Sequence, residues 1–466
     1  MIRDGFSAEL CSTLAKISFD DLPPEVVGRS QLFLLDTLGV IGGAANVPTV
    51  ENINRLLGKW NRDGNSTSLI GGWKGSPPSA AMANATSAHA LDFDDQHDPA
   101  RTHSYCVVFP AVLAATEELG NIDGKRFLTA IAVGVEMHAR LGLACYNSLN
   151  KGWHPTAALG ALASALATAH LMSFDDNRML DALGLAYHQM SGTKQPLMDS
   201  VPTKQLGAGF ASRNGVNAAF YADENLVGVR RPLEGEAGLF SLYEDDKVDI
   251  NALTDGLGNR WELLQVSMKP YPCCRANHST IQLALELHEN GVRVNDIAHA
   301  LISIGAVNHS VVGYKYAPHS ATNQIVHAQF NAAYSFARAL IDGEINLNSY
   351  DPSKVAEPLV LELVEKLDVA VDPHVDANAL APSRIEIVDN NGARRSLIRK
   401  KVKGSPEEPM DEKEVLKKFY SNMEFGLGVP VSDAEKLADI TLRLKDESDA
   451  TVLVKHFPKK AFTSRM

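Results

Sequence analysis

Residues 156–172 form the most apolar stretch of the chain, and small residues, mainly alanine, dominate it. Alanine and glycine let helix backbones approach closely, but they contribute little apolar area of their own. A helix of this composition is therefore stable only where other helices surround it. The stretch is short for a membrane span, and His170 lies near its end. We predict a buried helix inside a bundle, in a protein without a membrane partner.

The spacing of apolar residues divides the chain into two regions. Through most of the first 265 residues, apolar residues recur every three or four positions between short polar breaks, which indicates helices. The pattern ends at 269–272, Lys-Pro-Tyr-Pro, because each proline fixes its own φ and biases the preceding residue towards extended geometry. A chain of 466 residues is also too long for one core of ordinary size.

Beyond this point the pattern indicates strands as well as helices. Alternating segments predict strands at 301–306, 367–371, 384–388 and 396–398. Between the last two, Asn390-Asn391-Gly392 is typical of a hairpin turn. The second region is therefore predicted to be α+β.

Two sequence signals locate helix starts. Ser173, followed by Asp176, is predicted to be an N-cap, and Asp411 with Glu414 is predicted to form a capping box where the helical pattern returns. The predicted fold is mainly α. It has a large all-helical domain at residues 1–267, rejoined by 407–466, and a smaller α+β lid domain at 268–406.

Charge and cysteine content limit the partners and the compartment. A formal net charge of −12 argues against nucleic acid, which concentrated lysine and arginine would bind. A small anionic substrate would need a local cluster of positive groups. The N-terminus has acids where a secretion signal needs a basic start, and five cysteines, an odd number, fit a reducing compartment. We expect a cytoplasmic protein.

Four segments concentrate ionisable side chains. The first, 89–103, contains Asp92, Arg101 and His103 among further acids and histidines. Such a segment could bind a metal, supply an acid or base, or cap a helix, although its spacing matches no standard metal signature. In the second, Pro155 places His154 at a helix N-terminus, where it either meets an anionic substrate or only caps the helix.

The third and fourth segments add positive charge. In the third, Lys204 and Arg213 with three glycines surround a predicted helix start, a place where an anion can bind. The alternative is that Lys204 is only a solvated lysine. In the fourth, Lys269 and His278 flank the predicted domain crossing, and clefts between domains often hold small-molecule sites. The adjacent Cys273 and Cys274 are interpreted as packing residues.

Together these motifs resemble the MmgE/PrpD family over nearly the whole chain. The motifs are His-Ala-Leu-Asp-Phe-Asp-Asp at 89–95, Gly-Trp-His-Pro-Thr at 152–156, Lys204 followed by Ala-Ser-Arg-Asn-Gly at 211–215, the glycine-rich turn at 233–240, and Lys-Pro-Tyr-Pro-Cys-Cys-Arg at 269–275 with His278. The family contains 2-methylcitrate dehydratase, cis-aconitate decarboxylase and iminodisuccinate epimerase. The resemblance implies a helical domain with an α+β lid, a homodimer, and no metal or organic cofactor.

The resemblance also implies the site. Five residues are expected to line it as catalytic groups: Asp92, His103, His154, Lys204 and Lys269. Further substrate contacts are expected from Arg101, Arg213, His278, Tyr314 and Cys274. Of the residues in the lid, Tyr314 and His327 are the weaker candidates. Two positions differ from relatives. Cys274 stands where decarboxylase-like members carry a histidine, which weakens the case for decarboxylation, and Ser104-Tyr105 follows His103 where many relatives have Pro-Ser.

The reactions of the family share one chemical requirement. Removing a proton or carbon dioxide beside a carboxylate builds negative charge, which lysines and helix N-termini stabilise, while a histidine near neutral pKa transfers the proton. We expect His154 or His103 to be the base, with Asp92 as its orienting partner. The substrate is predicted to be a small di- or tricarboxylic acid. A 2-methylcitrate-dehydratase-like hydro-lyase is favoured over an epimerase, a decarboxylase, or a binding protein without activity.

Overall fold

The structure, a computed structural model, describes residues 5–61, 63–145, 151–377 and 379–459. Its contacts divide the chain into two compact units. The first takes in the chain up to Gln195, Thr203–Val266, and the chain from Asp411 onwards. The second consists of Pro196–Pro202 and Ser267–Met410. The domain limits predicted from the sequence fell after residues 267 and 406.

Helices make up most of the described chain. In chain order they are α1 Phe6–Leu14, α2 Pro24–Gly43, α3 Pro48–Trp60, α4 Pro77–His89, α5 Tyr105–Leu119, α6 Gly124–Ala144, α7 Pro155–Leu171, α8 Asp176–Tyr187, α9 Gln195–Met198, α10 Thr203–Asp223, α11 Leu239–Glu244, α12 Ile250–Thr254, α13 His278–Glu289, α14 Ala306–Val312, α15 Gln324–Gln329, α16 Ala332–Asp342, α17 Pro352–Val355, α18 Pro358–Val364, α19 Glu412–Leu427, α20 Val431–Leu442 and α21 Val452–Lys455. The strands are β1 Ser66–Thr67, β2 Lys74–Gly75, β3 Gln96–His97, β4 Val266–Ser267, β5 Ile297–Ile304, β6 Leu367–Val371, β7 Ser383–Asp389 and β8 Arg394–Arg399. The mainly α fold predicted from the sequence is confirmed.

Helix α7 lies inside the first unit, as its composition predicts. Every residue of α7 except His170 is buried, and the helix packs against α5, α6, α8 and α10. Small residues make this packing possible. A Cβ atom added at Gly215 of α10 would lie 2.4 Å from the Cβ of Ser164 on α7, and one added at Gly160 would lie 3.2 Å from the Cβ of Ala211.

Replacing Gly215 with alanine is expected to destabilise the protein by about 1 to 3 kcal/mol, because the new methyl group overpacks the α7–α10 contact. The matched control is Gly28→Ala on the exposed face of α2, where a Cβ has no neighbour within 4 Å. That change should stabilise helix α2 by roughly 0.5 to 1 kcal/mol. Urea denaturation followed by circular dichroism measures both. Equal midpoints for the two variants would contradict the close packing.

One helix start differs from the prediction. Asp175, rather than Ser173, caps α8, since its side chain accepts a hydrogen bond from the Arg178 backbone N–H. Ser173 instead adopts a left-handed φ of 56° in the turn after α7. The Ser173 prediction was wrong because serine and aspartate both favour N-caps, and the sequence does not show which of them follows the turn. The capping box of Asp411 and Glu414 at the start of α19 is confirmed.

The second unit is an α+β domain around a four-stranded sheet. The strand order is β6-β5-β7-β8, with β5 parallel to β6 and antiparallel to β7. The hairpin of β7 and β8 forms as predicted, with Gly392 at a φ of 82° in its turn. Helix α13 packs against β7 and β8, and α16 packs against β6. Buried side chains of this unit include Ile302, Ile385 and Phe336.

Among the described helices, Gly124–Ala144 is the one that by itself has the length and hydropathy of a membrane span. Of its most apolar window, 94% is buried by the rest of the protein. Burial to this extent is typical of a core helix.

Candidate active site

Four segments of the first unit bring ionisable side chains together. They are the turn after α4, the residues before α5, the N-terminus of α7 and the first turn of α10. Their side chains are His89, Asp92, Asp94, His103, His154 and Lys204. All of them are buried except Lys204, whose side chain is 10% exposed. Below, this group is called the His–Asp–Lys cluster.

A tight turn joins His89 to Asp94. His89 is the last residue of α4, and Asp92 then adopts a left-handed φ of 51°, which directs the chain back towards the helix end. Aspartate tolerates this conformation better than most residues, although it costs free energy. As a result, Oδ2 of Asp94 lies 2.7 Å from Nδ1 of His89 in a fully buried contact.

Lys204 determines the tautomer of His89. Its ammonium donates to Nε2 of His89 at 2.9 Å and to Oδ1 of Asp92 at 2.6 Å. Because an ammonium can only donate, Nε2 of His89 must accept, so the proton of the neutral ring is on Nδ1 and is donated to Asp94. Nearby, Nε2 of Gln205 donates to the carbonyl of Ala90 at 2.8 Å, which holds the start of α10 against the end of α4.

His103 contacts the same carboxylate oxygen as His89. Its Nδ1 lies 3.3 Å from Oδ2 of Asp94, and its ring meets the His89 ring edge to face at 4.8 Å between centroids. The backbone N–H of His103 donates to Oγ1 of Thr156 at 3.0 Å, which links His103 to the first turn of α7. One buried carboxylate therefore orients two imidazoles.

The two neighbouring carboxyl groups have opposite pKa shifts. Burial disfavours the charge of Asp94, but the imidazoles of His89 and His103 outweigh it and hold the pKa of that carboxyl well below its usual range. Burial and the nearby charge of Asp94 raise the pKa of Asp95 well above its usual range. Asp94 is therefore the carboxyl group of this pair that carries the charge.

His154 is held at the N-terminus of α7, as predicted. It is the N-cap residue before Pro155, and its ring centroid lies 6.3 Å from that of His89. Burial lowers the pKa of His154 well below its usual range, and the positive charge of Lys204 adds to the shift. The ring is therefore neutral near pH 7 and lies where helix amides favour an anion.

The sequence left three roles open for residues 89–103, namely metal binding, acid–base chemistry and helix capping, and different residues of the segment have different positions in the structure. His89, Asp92, Asp94 and His103 belong to the cluster, whereas other residues hold the backbone. Asp95 accepts from the backbone N–H groups of Ser104 and Tyr105, at 2.8 and 3.0 Å, at the start of α5.

His97 also supports the backbone rather than the cluster. Nδ1 of His97 accepts from the Ala100 backbone N–H at 3.2 Å, and its Nε2 lies 3.4 Å from Oε2 of Glu262. Arg101, a predicted substrate contact, is partly buried with a left-handed φ of 58° in the same turn. The turn at residues 97–101 therefore has a structural role, and the cluster residues lie on either side of it.

Within the described ranges, His89, Asp94 and Cys106 come nearest to a metal-ligand set, with donor atoms within 4.8 Å of one another. Two of these groups already bond to each other, since Nδ1 of His89 donates to Asp94. Burial raises the pKa of the Cys106 thiol well above its usual range, and its Sγ donates to the His103 carbonyl at 3.3 Å. Asp94 and Cys106 are therefore better described as hydrogen-bonding partners that support His89 and His103.

Arg213 is not brought into the cluster. It lies nine residues along α10 from Lys204, a rise of about 13 Å. Its guanidinium contacts Asn214 and lies 5.2 Å from the centre of the Phe210 ring. The glycines of this segment also have another role than binding an anion. A Cβ at Gly209 would lie 2.4 Å from Oγ1 of Thr86, so this glycine allows α10 to pack closely on α4.

Five predicted residues belong to the second unit. Lys269 is fully buried, and His278 is buried beside Arg275, with its Nδ1 3.2 Å from the Arg275 Nη1. Cys274 is partly buried, and its backbone N–H donates to the Gln329 carbonyl at 3.0 Å. Their assignment to the site stays a prediction.

Tyr314 and His327 form a pair within the same unit. The Tyr314 hydroxyl donates to the His327 carbonyl at 3.2 Å, and the two ring centroids are 5.1 Å apart. Nε2 of His327 accepts from the Ala317 backbone N–H at 3.0 Å, which leaves the ring proton on Nδ1. Burial raises the pKa of Tyr314, so its hydroxyl stays protonated.

Sequence reasoning did not assign His89 and Asp94 to the site, although both lie in a segment that it selected. The two residues are five apart, a separation that brings side chains together neither on a helix nor on a strand. The turn at Asp92 produces the contact. A polar residue in a left-handed turn directly after a helix is the signal that could have indicated it, but the sequence does not reveal φ.

Two family models together match most of the chain. The MmgE/PrpD N-terminal domain matches residues 8–250, and the MmgE/PrpD C-terminal domain matches residues 271–446. A cis-aconitate decarboxylase of Aspergillus terreus is 28% identical over 97% of this chain and 96% of its own length. The cis-aconitate decarboxylase of Homo sapiens is 25% identical over 97% and 94%. The chain therefore belongs to the MmgE/PrpD family.

Proposed function

We propose that this protein is a lyase that removes carbon dioxide from a small unsaturated tricarboxylic acid of the cis-aconitate class. The observation that carries the proposal is the buried chain of contacts from Lys204 through His89 and Asp94 to His103. It joins a fixed positive charge to two oriented imidazoles among largely buried side chains. The names of the relatives favour decarboxylation over the other reactions of the family.

Decarboxylation needs a place for charge and a source for one proton. The bond between the departing carboxylate and its carbon breaks, and the electron pair moves through the adjacent double bond to the allylic carbon. A neighbouring carboxylate delocalises this charge. Lys204, together with the amides at the N-termini of α7 and α10, lies where such a carboxylate can be stabilised. A proton then bonds to the carbanion, and carbon dioxide leaves.

His103 is the residue that we assign to this proton transfer. Its Nδ1 contacts the charged Asp94, which stabilises an imidazolium, so the ring can hold a proton on Nε2 and deliver it. His154 lacks this advantage. Because its pKa lies well below the usual range, His154 is assigned to binding a substrate carboxyl or carbonyl group as a neutral ring.

A second candidate function is dehydration of a 2-methylcitrate-like hydroxy acid. The feature that favours it is Cys274, since the family resemblance implies a histidine at this position in decarboxylase-like members. Dehydration uses the same groups in the opposite direction. His103 would accept the proton beside a carboxylate, and a second group would protonate the departing hydroxyl.

Incubation with cis-aconitate is expected to release one carbon dioxide per substrate consumed, measured with carboxyl-labelled substrate and by NMR of the remaining dicarboxylate. The control is His103→Gln, purified in the same way, whose rate should fall by about 100-fold or more. Water loss from 2-methylcitrate without carbon dioxide release would instead favour the second candidate. Deuterium uptake at an α-carbon without either loss would indicate an epimerase. Tight binding measured by calorimetry, without exchange or turnover, would overturn the lyase proposal.

A further inference from the structure

A buried lysine from the C-terminal part of the first unit contacts the turn that carries the cluster. Lys418 lies on α19 and its side chain is 5% exposed. Its ammonium lies 2.6 Å from Oδ1 of Asp36 on α2 and donates to the Phe93 carbonyl at 2.9 Å. The same ammonium lies 3.9 Å from the centre of the Phe93 ring. One buried charge therefore holds both the backbone and the side chain of Phe93.

Phe93 lies between the two aspartates of the cluster. Asp92 contacts Lys204, and Asp94 contacts His89 and His103. The Phe93 carbonyl belongs to the peptide unit that leads into Asp94, so its orientation helps to set where the Asp94 carboxylate points. Since Asp92 is in a left-handed conformation, this turn needs support from its surroundings. Lys418 supplies a charge-assisted hydrogen bond at that point.

The ion pair of Lys418 and Asp36 is not explained well by stability alone. Removing two charges from water is energetically costly, and apolar residues of similar volume often replace a buried pair without loss of stability. A directional role explains the arrangement better, because an apolar side chain at position 418 could not donate to the Phe93 carbonyl. We propose that Lys418 and Asp36 are positioning residues, which hold the turn of Asp92, Phe93 and Asp94 in the geometry that orients His89 and His103. The kinetic part of its test rests on the proposed function.

The test replaces both charges at once, as Asp36→Leu with Lys418→Met, so that no unpaired ion remains in the core. The expected result is a fall in kcat of about 10- to 100-fold with a smaller change in KM, because the reacting groups are displaced while Lys204 still binds the substrate. The control, Glu136→Leu with Arg140→Met, removes a comparably buried pair whose hydrogen bonds reach residues 252–263. The control variant should have a lower melting temperature but should not show the roughly 10- to 100-fold fall in kcat expected for the test variant.

A second measurement does not depend on turnover. In the parent protein, the Nδ1 proton of His89, donated to Asp94, should give a downfield proton NMR signal, which a His89→Gln variant identifies by its loss. The signal should shift or broaden in the Asp36→Leu/Lys418→Met variant and remain in the control. An unchanged signal and unchanged kcat would overturn the positioning role. If the parent protein turns over no tricarboxylate, the proposed function fails, and the NMR comparison still decides this inference.

Discussion

Replacing Lys204 with methionine is expected to lower kcat by about 10²- to 10³-fold and to raise KM. The size of the effect corresponds to the loss of one preorganised group that stabilises developing negative charge. KM rises as well, because the same ammonium attracts a carboxylate of the bound substrate before reaction. Steady-state kinetics with the substrate identified by the carbon dioxide assay measures both parameters.

The matched control for Lys204 is Arg213→Met on the same helix. Arg213 contacts Phe210 and Asn214 rather than the cluster, so kcat should stay within about twofold of the parent value and only stability should change slightly. Melting temperatures are measured for both variants, since removal of Lys204 leaves Asp92 without its 2.6 Å partner. A Lys204→Met variant with parental kcat and KM would contradict the assigned role of this ammonium.

The fold follows from the sequence wherever a local pattern is sufficient. The small residues of α7 require close neighbours, and the structure surrounds that helix. The capping box at Asp411 and the hairpin turn at Gly392 act within a few residues, so both predictions are confirmed. At Ser173 the prediction was wrong by two residues. The choice between Ser173 and Asp175 depends on how the chain leaves α7, which no local pattern specifies.

The candidate site follows from the sequence less completely. Sequence patterns at helix starts pointed to His154 and Lys204. His154 comes before a proline, and Lys204 lies in a glycine-containing segment, and each pattern indicates a helix N-terminus. The same reasoning selected Arg213, which the geometry of α10 carries about 13 Å along the helix from Lys204. Helix rise alone would have separated the two.

Contacts that depend on backbone turns could not be predicted from the sequence. The left-handed Asp92 brings Asp94 onto His89, and Lys418, from a segment more than three hundred residues later, holds the Phe93 carbonyl. Neither contact has a sequence signature. A non-glycine residue in the left-handed conformation is a frequent companion of functional sites, since strain persists only where the surroundings enforce it.

The electrostatics of the cluster depends on separating two adjacent carboxyl groups. Asp94 keeps its charge through two imidazoles, whereas burial beside that charge favours the neutral form of Asp95. Opposite pKa shifts in neighbouring acids often mark acid and base assignments. Here they identify Asp94 as the charged partner of the histidines and Asp95 as a helix cap.

Replacing Asp94 with asparagine is expected to produce the largest loss of activity, a fall in kcat of about 10³- to 10⁴-fold, by analogy with removal of the charge behind a catalytic histidine. The amide keeps the shape of the side chain but cannot stabilise an imidazolium on His103 or enforce one tautomer on both rings. Since a carboxylate favours the protonated ring, its removal lowers the pKa of that imidazole. Because His103 must be protonated to donate, the alkaline limb of the kcat/KM profile should therefore move to lower pH.

The adjacent substitution Asp95→Asn is the control that separates charge from shape. Burial already favours the neutral form of Asp95, and an amide oxygen can accept the same bonds from Ser104 and Tyr105. This variant should keep kcat within about tenfold of the parent and leave the pH profile in place, because the charge behind the imidazoles is unchanged. Equal losses in Asp94→Asn and Asp95→Asn would mean that the two aspartates only support the backbone. A loss confined to Asp94→Asn, with its limb displaced towards acid, would identify the shared carboxylate as the group that gives His103 its proton-transfer role.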